Sequence, residues 1–475
     1  MPTASLRLVA ATLHSTQTKT RMPFRFGIAV MTEVPHVFLN CTFEINGGTF
    51  TGIAADGLPP RWFDKSPGKS PQQEIEEMLL VIRHAVSLAQ QLPAATAFEF
   101  WRALYAAQME WAAQRGLPAL LAHFGVSMVE RTLLDALAKS HGTTIFGLLK
   151  HNLVGMDLGA LHAELAGRQP SDFLPSQPLQ RLIARHTVGL SDPLTQGDVP
   201  AGEELSDGLP HTLEQCVQFY GLRHFKLKVL GDVDADLDRL RRIAAVITRL
   251  CGRDYAFTLD GNEQYREFPR FVELWDRIQA DGALRLFFDK LIFIEQPLYR
   301  SVALDPAVAK IREWRDGPPM IIDESDAEMA DLERALELGY AGTSHKNCKG
   351  VMKGAANRCL INHRNAVEKT TRYQMSGEDL VNIGPVALLQ DLAVQAALGN
   401  ASVERNGHHY FRGLSVFPAA VSDAILAKHG DLYTPLDGFA RLAVREGELA
   451  IGSVNSAPFG LAAHIPMDSF EAVSL

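Results

Sequence analysis

The sequence predicts an α/β protein in which a closed parallel β-barrel follows an N-terminal unit of mixed α and β structure. Beyond residue 180, short apolar or β-branched runs alternate with amphipathic helical stretches, which is typical of parallel βαβ units. There are eight such runs and no glycine-rich phosphate-binding motif, which favours a closed barrel over an open doubly wound sheet. Charged residues stand at the ends of successive runs, where a parallel barrel has its functional mouth.

The runs predicted to be barrel strands recur at regular intervals. Between the second and third of them, Leu237, Leu240, Ile243 and Ile247 follow helical spacing. Each interval is long enough for one helix, so the strands are expected to be parallel. The predicted strands are residues 186–190, 224–229, 255–259, 291–294, 320–322, 342–345, 373–376 and 401–403.

The first third of the chain has a different pattern. Residues 37–45 and 49–53 are typical of two strands, and Asn46-Gly47-Gly48 between them is typical of a hairpin turn. Apolar residues then recur at helical spacing in 75–86 and 126–137. These features predict an α+β unit, followed by a proline-containing linker and the barrel. The predicted parts are residues 1–170, the barrel over 180–415 and a C-terminal segment over 416–475.

The segment 57–71 is rich in proline and carries Trp62 and Phe63 between its prolines. Long loops in compact domains are often functional lids. A plain surface connection is equally compatible with this composition. The segment is therefore a candidate lid with a structural alternative.

Composition and charge exclude several classes of protein. The 475 residues include 46 basic and 55 acidic side chains, a net charge of −9, whereas a nucleic-acid binder has a basic excess. The five cysteines are scattered without a CxxC pair, which argues against a disulfide framework or a zinc site. No uninterrupted apolar stretch reaches the ~18 residues of a membrane span, and no signal peptide is recognisable. We expect a cytoplasmic protein with neither nucleic-acid nor membrane partners.

Charged side chains end seven of the predicted strands. Because these positions converge on one mouth, Asp260, Glu295 and Asp323 would form a hard all-oxygen site of the kind that Mg²⁺ takes. Left unpaired, three clustered carboxylates would repel one another, and a divalent cation resolves that conflict. The strand-end residues are Lys226 and Lys228, Asp260, Glu295, Asp323, Lys346, Glu378 and Glu404.

Lysines are expected on both sides of this metal site. Lys226 and Lys228 alternate along one strand and so point to the same side, whereas Lys346 comes four strands further round the barrel. A metal-bound carboxylate has an acidified α-proton, because the metal and a neighbouring cation stabilise the enediolate. A lysine crowded by Mg²⁺ and by another lysine has a lowered pKa and can act as the base.

The order Lys-x-Lys, Asp-x-Asn, Glu-Gln-Pro, Asp-Glu-Ser and Lys resembles the enolase superfamily. Within it, the chain is most similar to the mandelate racemase and muconate lactonizing enzyme group, in the branch of muconate lactonizing enzymes and dipeptide epimerases. The resemblance covers most of the chain. It implies a modified TIM barrel, (β/α)7β, with an α+β capping domain, a mobile lid near 57–71 and a C-terminal segment that returns to the cap.

The resemblance also implies roles for individual residues. Lys228 would be the base on one face of the substrate, Lys346 the acid/base on the other, and Lys226 would polarise the substrate carboxylate. The Mg²⁺ ligands would be Asp260, Glu295 and Asp323. Further candidates for substrate binding or for supporting the site are Asn262, Glu324, Glu378, Glu404 and His408.

Some features depart from the superfamily pattern. The interval between the third and fourth strand ends is long, which predicts an insertion near residues 280–290. Lys349 competes with Lys346 for the catalytic role, although Lys349 is expected in the turn beyond its strand. Glu324 either pairs with Lys346 or caps the following helix, and the roles of the histidines at 345, 408 and 409 stay open.

The expected reaction is abstraction of the α-proton of a small-molecule carboxylate to a metal-stabilised enediolate, leading to racemisation, epimerisation or cycloisomerisation. One alternative is a dehydratase that expels a β-hydroxyl from the same intermediate. Another is a non-catalytic metal-binding scaffold. The resemblance also implies a homo-oligomer.

Overall fold

The computed structural model describes residues 6–26, 29–314 and 317–475. The N-terminal cap consists of an antiparallel sheet with helices packed on one face. Its sheet has the strand order β15-β1-β2-β3, so the last strand of the chain lies beside the first. The cap elements are β1 (Leu6–Phe26), β2 (Ala29–Ile45), β3 (Gly48–Gly57), α1 (Pro71–Ala89), α2 (Ala97–Gln114), α3 (Ala119–His141) and α4 (Ile145–Lys150).

The predicted hairpin of the cap is confirmed, whereas its first strand was missed. Asn46 and Gly47 both have positive φ, as a tight hairpin turn between β2 and β3 requires. The strand β1 was not predicted because its polar residues, such as Thr16 and Thr18, interrupt the apolar pattern. Strand β1 is held in extended conformation by pairing with β2 along most of its length, and the sequence of β1 alone does not indicate this pairing.

The barrel is closed by eight parallel strands in the described part of the chain. Each strand pairs with its sequence neighbour, and the last pairs with the first through the register Arg405↔His186. All eight predicted strands are present, with ends that differ from prediction by a few residues. They are β4 (Arg181–Val188), β5 (His224–Lys228), β6 (Ala256–Asp260), β7 (Leu291–Glu295), β8 (Met320–Ile322), β9 (Gly342–His345), β10 (Gln374–Gly377) and β11 (Ser402–Arg405).

Helices connect the barrel strands, and the fourth connection is irregular. It consists of a single helical turn and a 3₁₀ segment, Pro306–Arg312, in place of a full α-helix. The insertion predicted near 280–290 is an additional helix, α8. The connecting helices are α5 (Leu213–Tyr220), α6 (Val233–Cys251), α7 (Phe268–Ala280), α8 (Gly282–Phe288), α9 (Arg300–Ala303), α10 (Asp331–Leu338), α11 (Val351–Glu368) and α12 (Ala387–Leu398).

The C-terminal segment runs along the barrel and then returns to the cap. One of its strands, β14, pairs antiparallel with β4, and its last strand, β15, pairs with β1. The last strand of the chain therefore lies beside the first in the cap sheet. The elements beyond the barrel are α13 (Gly407–Tyr410), α14 (Ala419–Lys428), β12 (Tyr433–Leu436), β13 (Phe439–Leu442), β14 (Glu448–Ala450), α15 (Gly452–Ser456) and β15 (Glu471–Val473).

Helix α3 joins the cap to the barrel and is buried along nearly its whole length. On the barrel side, the Glu130 carboxylate accepts the backbone N–H groups of Val351 and Met352 at 3.1 and 2.7 Å, at the start of α11. A carboxylate is stabilised there because those N–H groups have no partner within their own helix. On the cap side, Arg131 donates to Asp56 of β3 at 2.9 Å. The cap is thereby fixed over one end of the barrel.

No helix in the described ranges is both long and apolar enough to cross a membrane.

Close packing of β3 on α3 depends on Gly52. A Cβ added at Gly52 would lie 1.8 Å from the carbonyl oxygen of Thr132, so strand and helix would have to separate. We predict that Gly52→Ala lowers the free energy of unfolding by about 1–3 kcal/mol, the usual cost of overpacking. Gly57→Ala in the same strand is the control, because its Cβ would meet only Val34 at 3.9 Å. Equal unfolding midpoints for the two variants in denaturant would contradict this account.

Candidate active site

The carboxyl ends of the barrel strands and the cap together line a cavity of about 560 Å³, counted out to its mouth. In a parallel barrel this end collects the side chains that follow each strand. The cap contributes its first strand and the loop after β3. The principal lining residues are Lys226, Lys228, Asp260, Asn262, Asp323, Glu324, Lys346, Asp379, Glu404 and Asn406 from the barrel, with Phe24, Pro59, Arg61, Trp62 and Lys65 from the cap.

Eight of the eleven residues predicted for the site line this cavity. Two more, Glu295 and Glu378, do not line it but bind the ammonium of Lys226. His408 lies elsewhere: its imidazole contacts His186 and lines a neighbouring cavity. The expectation that His408 contacts substrate thus finds no support in the geometry.

Lys226 is the centre of the charged network. Its Nζ lies 2.9 Å from Glu295, 2.7 Å from Glu378, 3.1 Å from Asp260 and 3.2 Å from Glu404. All of these groups are buried. A buried ion pair is costly to form but very costly to break, because a lost partner leaves uncompensated charge. Lys226 therefore holds carboxylates from two pairs of neighbouring strands, β6 with β7 and β10 with β11, in one cluster.

The titration of these groups follows from their burial and mutual charge. Burial, together with the charge of Glu378, raises the pKa of Glu295 well above its usual range. Burial acts on Glu404 in the same way, but the charges of Lys226 and the other lysines and a hydrogen bond with Glu378 together outweigh it, so the pKa of Glu404 falls well below normal. Desolvation lowers the pKa of Lys226, and the surrounding carboxylates reverse this and raise it well above normal. Lys226 is thus a fixed cation.

Lys346 and Lys349 both donate hydrogen bonds to Asp323, but from different positions. Lys346 Nζ donates to Asp323 Oδ2 at 2.6 Å and faces the cavity. Lys349 lies in the turn after β9, as predicted, and donates to the Ser344 hydroxyl at 2.8 Å and to the backbone oxygen of Asp323 at 3.1 Å. It does not line the cavity, so the geometry favours Lys346 as the residue that reaches substrate.

The titration of Lys346 is set by its carboxylate partner. Burial lowers the pKa of Lys346, but the charge of Asp323, with smaller contributions from Glu378 and Glu295, outweighs burial and raises it above its usual range. Lys346 is therefore a cation while it is paired with Asp323.

The three predicted metal ligands do not reach coordination spacing of one another. Among the described residues only one group of three His, Cys, Asp or Glu side chains brings its ligand atoms within 4.8 Å of one another, and it lies elsewhere. The reason is that ammonium groups hold the carboxylates. Lys226 binds Asp260 and Glu295, and Lys346 binds Asp323.

The oxygen atoms around the cavity nevertheless suit a hard cation. Asn262 Oδ1 and Glu324 Oε2 are buried oxygens on the cavity wall without a hydrogen-bond partner. Asn262 also positions Asp260 by donating to both of its carboxylate oxygens, at 2.8 and 2.9 Å. Oxygen acceptors that lack donors, next to crowded carboxylates, are the environment that Mg²⁺ prefers. The predicted ligands Asp260, Glu295 and Asp323 therefore fit the ion chemically.

The loop at 58–70 lies over the cavity, which supports its interpretation as a lid. The Trp62 ring lies 5.4 Å from the Lys346 ammonium. The backbone oxygens of Trp62 and Phe63 accept from Arg300 at 2.9 and 3.1 Å. Lys65 pairs with Glu263, and Glu263 also pairs with Arg300 at 2.8 Å.

Several of these residues were missed by sequence reasoning. Glu263 and Arg300 follow β6 and β7, where only Asp260, Asn262 and Glu295 had been singled out. Asn262 and Glu263 both have positive φ, so the sharp turn after Asp-Gly is the one local signal that could have pointed to them. Asp379 was also missed; burial raises its pKa to about 7.

Arg405 and His345 lie outside the cavity. Arg405 is buried and pairs with Asp391, so it does not offer its guanidinium to the catalytic cavity. The His345 imidazole contacts Asn347 at 3.1 Å, and burial lowers its pKa to about 4. Both side chains support the barrel wall.

The whole structure resembles several solved enzymes. The chain matches an enolase from Bradyrhizobium, complexed with magnesium and mandelic acid, at 16% identity over 100% of both chains with a TM-score of 0.58. It matches a muconate lactonizing enzyme from Mucobacterium Smegmatis, complexed with muconolactone, at 18% identity, 98% and 100% coverage and a TM-score of 0.58. It also matches a dipeptide epimerase from Enterococcus faecalis, complexed with Mg and the dipeptide L-Leu-L-Tyr. The identity is 14%, the match covers 96% of this chain and 100% of the epimerase, and the TM-score is 0.61.

The chain therefore shares the fold of these structures over nearly its whole length, cap and barrel included. Other structures with this fold include a mandelate racemase/muconate lactonizing protein from Herpetosiphon aurantiacus. No protein-family model and no curated protein sequence matches the chain.

The buried Glu324 makes the stability of the chain depend on pH. Burial is the main cause and the charge of Asp323 the second; together they raise the pKa of Glu324 from 4.5 to about 7. Between these values the unfolded state ionises first, so stability falls as pH rises. We predict that Glu324→Gln, in EDTA, equals the parent near pH 4 and is more stable by on the order of 1–3 kcal/mol at pH 8. Parallel unfolding free energies at all pH values would contradict this, and the exposed Glu337→Gln is the control.

Proposed function

We propose that this protein belongs to the enolase superfamily and removes the proton α to the carboxylate of a small organic acid. The resulting enediolate would be reprotonated or would cyclise, so that the overall reaction is racemisation, epimerisation or cycloisomerisation. The observation that carries the proposal is the cavity itself. Lys228 at the end of β5 and Lys346 just past β9 line one cavity from strands that lie four apart in the barrel.

Three lysines have distinct roles in this proposal. Lys226 is a fixed cation that would polarise the substrate carboxylate once the metal shares the carboxylates that surround it. Lys228 Nζ is 3.7 Å from Asp260 Oδ2 and lines the cavity, where it would be the base on one face of the substrate. Lys346 would leave Asp323 to hold or deliver the proton on the other face. The two-base arrangement permits inversion, because the proton can return from the side opposite to the one it left.

Mg²⁺ held by Asp260, Glu295 and Asp323 would supply positive charge at the substrate carboxylate and so acidify the α-proton. The chain's own residues do the remaining work. Asn262 fixes the orientation of Asp260 through its two hydrogen bonds. Trp62 and the other lid residues cover the cavity and limit the access of water, which strengthens electrostatic interactions inside.

Dehydration is the alternative outcome of the same proton abstraction. It needs an acid to protonate a departing β-hydroxyl, and Glu324 and Asp379 both line the cavity with pKa values raised to about 7. Product mass separates the two reactions, because an isomer keeps the mass of its substrate and a dehydration product loses one water.

The proposed bases are tested by exchange of the α-proton in D₂O. Pools of hydroxy acids, acid sugars, amino acids and dipeptides are incubated with Mg²⁺ and followed by NMR. We predict that Lys228→Ala abolishes exchange for one configuration and Lys346→Ala for the other, with rate losses of about 10²–10⁴. Lys349→Ala should slow both configurations to a similar extent, because Lys349 acts through Asp323.

The exposed Lys290→Ala is the matched control and should exchange like the parent. Exchange that survives both Lys228→Ala and Lys346→Ala would overturn the two-base mechanism. A parent protein that binds Mg²⁺ but exchanges no compound in any pool would favour the non-catalytic scaffold.

Metal binding has its own test, which needs no substrate. We predict that Mg²⁺ raises the free energy of unfolding, by about 2.7 kcal/mol at one hundred times its dissociation constant. Asp260→Asn and Glu295→Gln should lose most of this gain, because each removes an anionic ligand, while the exposed Asp276→Asn should keep it. The measurement is the unfolding midpoint with Mg²⁺ and with EDTA. An equal Mg²⁺ effect in all variants would place the ion elsewhere.

A further inference from the structure

A second cluster of ligand atoms lies at the seam where the barrel closes. It consists of His186 in β4, Cys216 in α5 and His409 in α13, all fully buried. One ligand atom of each lies within 4.8 Å of the other two, and Cys216 Sγ is 3.5 Å from His409 Nδ1. The three residues are far apart in sequence, so no short motif such as CxxC could point to them.

Both histidines of this His186–Cys216–His409 cluster are oriented by a second contact. His186 Nδ1 lies 3.2 Å from Nε2 of His408. His409 Nε2 lies 3.7 Å from the carboxylate of Asp192, which itself accepts from the Tyr410 hydroxyl at 2.7 Å. A ring nitrogen that faces a carboxylate or another acceptor fixes the orientation of the opposite nitrogen, and metal-binding histidines are almost always held in this way.

The protonation of the cluster favours a cation between the three atoms. Burial lowers the pKa of His186 to about 3 and that of His409 well below normal, so both rings are neutral and keep a lone pair. Burial raises the pKa of the Cys216 thiol, so the thiolate is stable only beside positive charge. The charge of Arg21 lowers this pKa, but burial outweighs it; Arg21 itself is paired with Asp207.

We propose that His186, Cys216 and His409 bind one Zn²⁺ ion through two imidazole nitrogens and a thiolate. Two nitrogens and one sulfur are typical zinc ligands, whereas Mg²⁺ requires oxygen. Binding replaces the Cys216 S–H proton, which leaves to solvent as the zinc–sulfur bond forms, and no electron is transferred. The site is chemically separate from the oxygen-lined mouth and does not depend on the proposed catalytic activity.

The position of the cluster indicates a structural role for the ion. His186 lies on the first barrel strand, directly paired with Arg405 of the last. His409 follows that last strand, and its backbone oxygen accepts from Arg21 of cap strand β1 at 3.0 Å. An ion bound here would join the first strand, the first barrel helix and the segment that meets the cap, so it would hold the barrel seam closed.

Zinc content and a cobalt spectrum test the proposal directly. The full chain is expressed in medium with added Zn²⁺, purified in saturating Mg²⁺ to fill the oxygen-lined site, and analysed by mass spectrometry for metal. We expect one equivalent of zinc in the parent and loss of nearly all of it in Cys216→Ser and His409→Gln. Cys359→Ser, another buried cysteine, is the matched control and should keep the zinc.

Cobalt distinguishes this site from any zinc that enters the oxygen-lined mouth. The parent grown with Co²⁺ should show a thiolate-to-cobalt charge-transfer band, which carboxylate ligands cannot produce and which Cys216→Ser should remove. Circular dichroism confirms that the variants fold. A folded parent without the band and without zinc would overturn the proposal even if no variant could be purified, and so would zinc that persists in both variants.

Discussion

The buried ammonium of Lys226 is the interaction on which the charged mouth depends. It contacts four carboxylates that come from different strands, and without it their charges would face one another in a medium of low polarity. One cation is not enough for four anions, which is why Glu295 holds its proton strongly while Glu404 loses it readily. A divalent ion bound as proposed would add positive charge to the same set, and its binding would then be linked to proton release from Glu295.

The first barrel strand shows how a single register serves two clusters. Arg185 and Thr187 point to the same side of β4 and hold Glu378 and Glu404, the carboxylates that in turn bind Lys226. His186 lies between them and points the other way, into the His186–Cys216–His409 cluster. A slip of one residue in the pairing of β4 with β11 would exchange these faces and empty both clusters. Both the carboxylate cluster around Lys226 and the His186–Cys216–His409 cluster thus depend on correct closure of the barrel.

The barrel could be predicted from sequence because its parallel strands are short apolar runs and seven of the eight are followed by a charge. Eight strands and the residues Lys226, Asp260 and Asp323 came from that pattern alone. Strand β1 could not, because its order comes from pairing with β2. Arg300 could not either, since its partners lie in the distant lid and in another loop. What escaped prediction is contact between segments far apart in the chain, for which no local pattern exists.

The lid and the carboxylates of the mouth are connected through two short loops. Asp260 ends β6 and Glu263 follows it by three residues, while Glu295 ends β7 and Arg300 follows it by five. Glu263 and Arg300 pair with each other; Arg300 donates to the lid backbone and Glu263 pairs with Lys65 of the lid. Asp260 and Glu295 hold Lys226. Each segment thus joins a carboxylate of the mouth to an anchor of the lid three to five residues further along. If a cation bound as proposed drew either carboxylate toward itself, the neighbouring anchor would be displaced with it, and closure of the lid would then be coupled to metal binding.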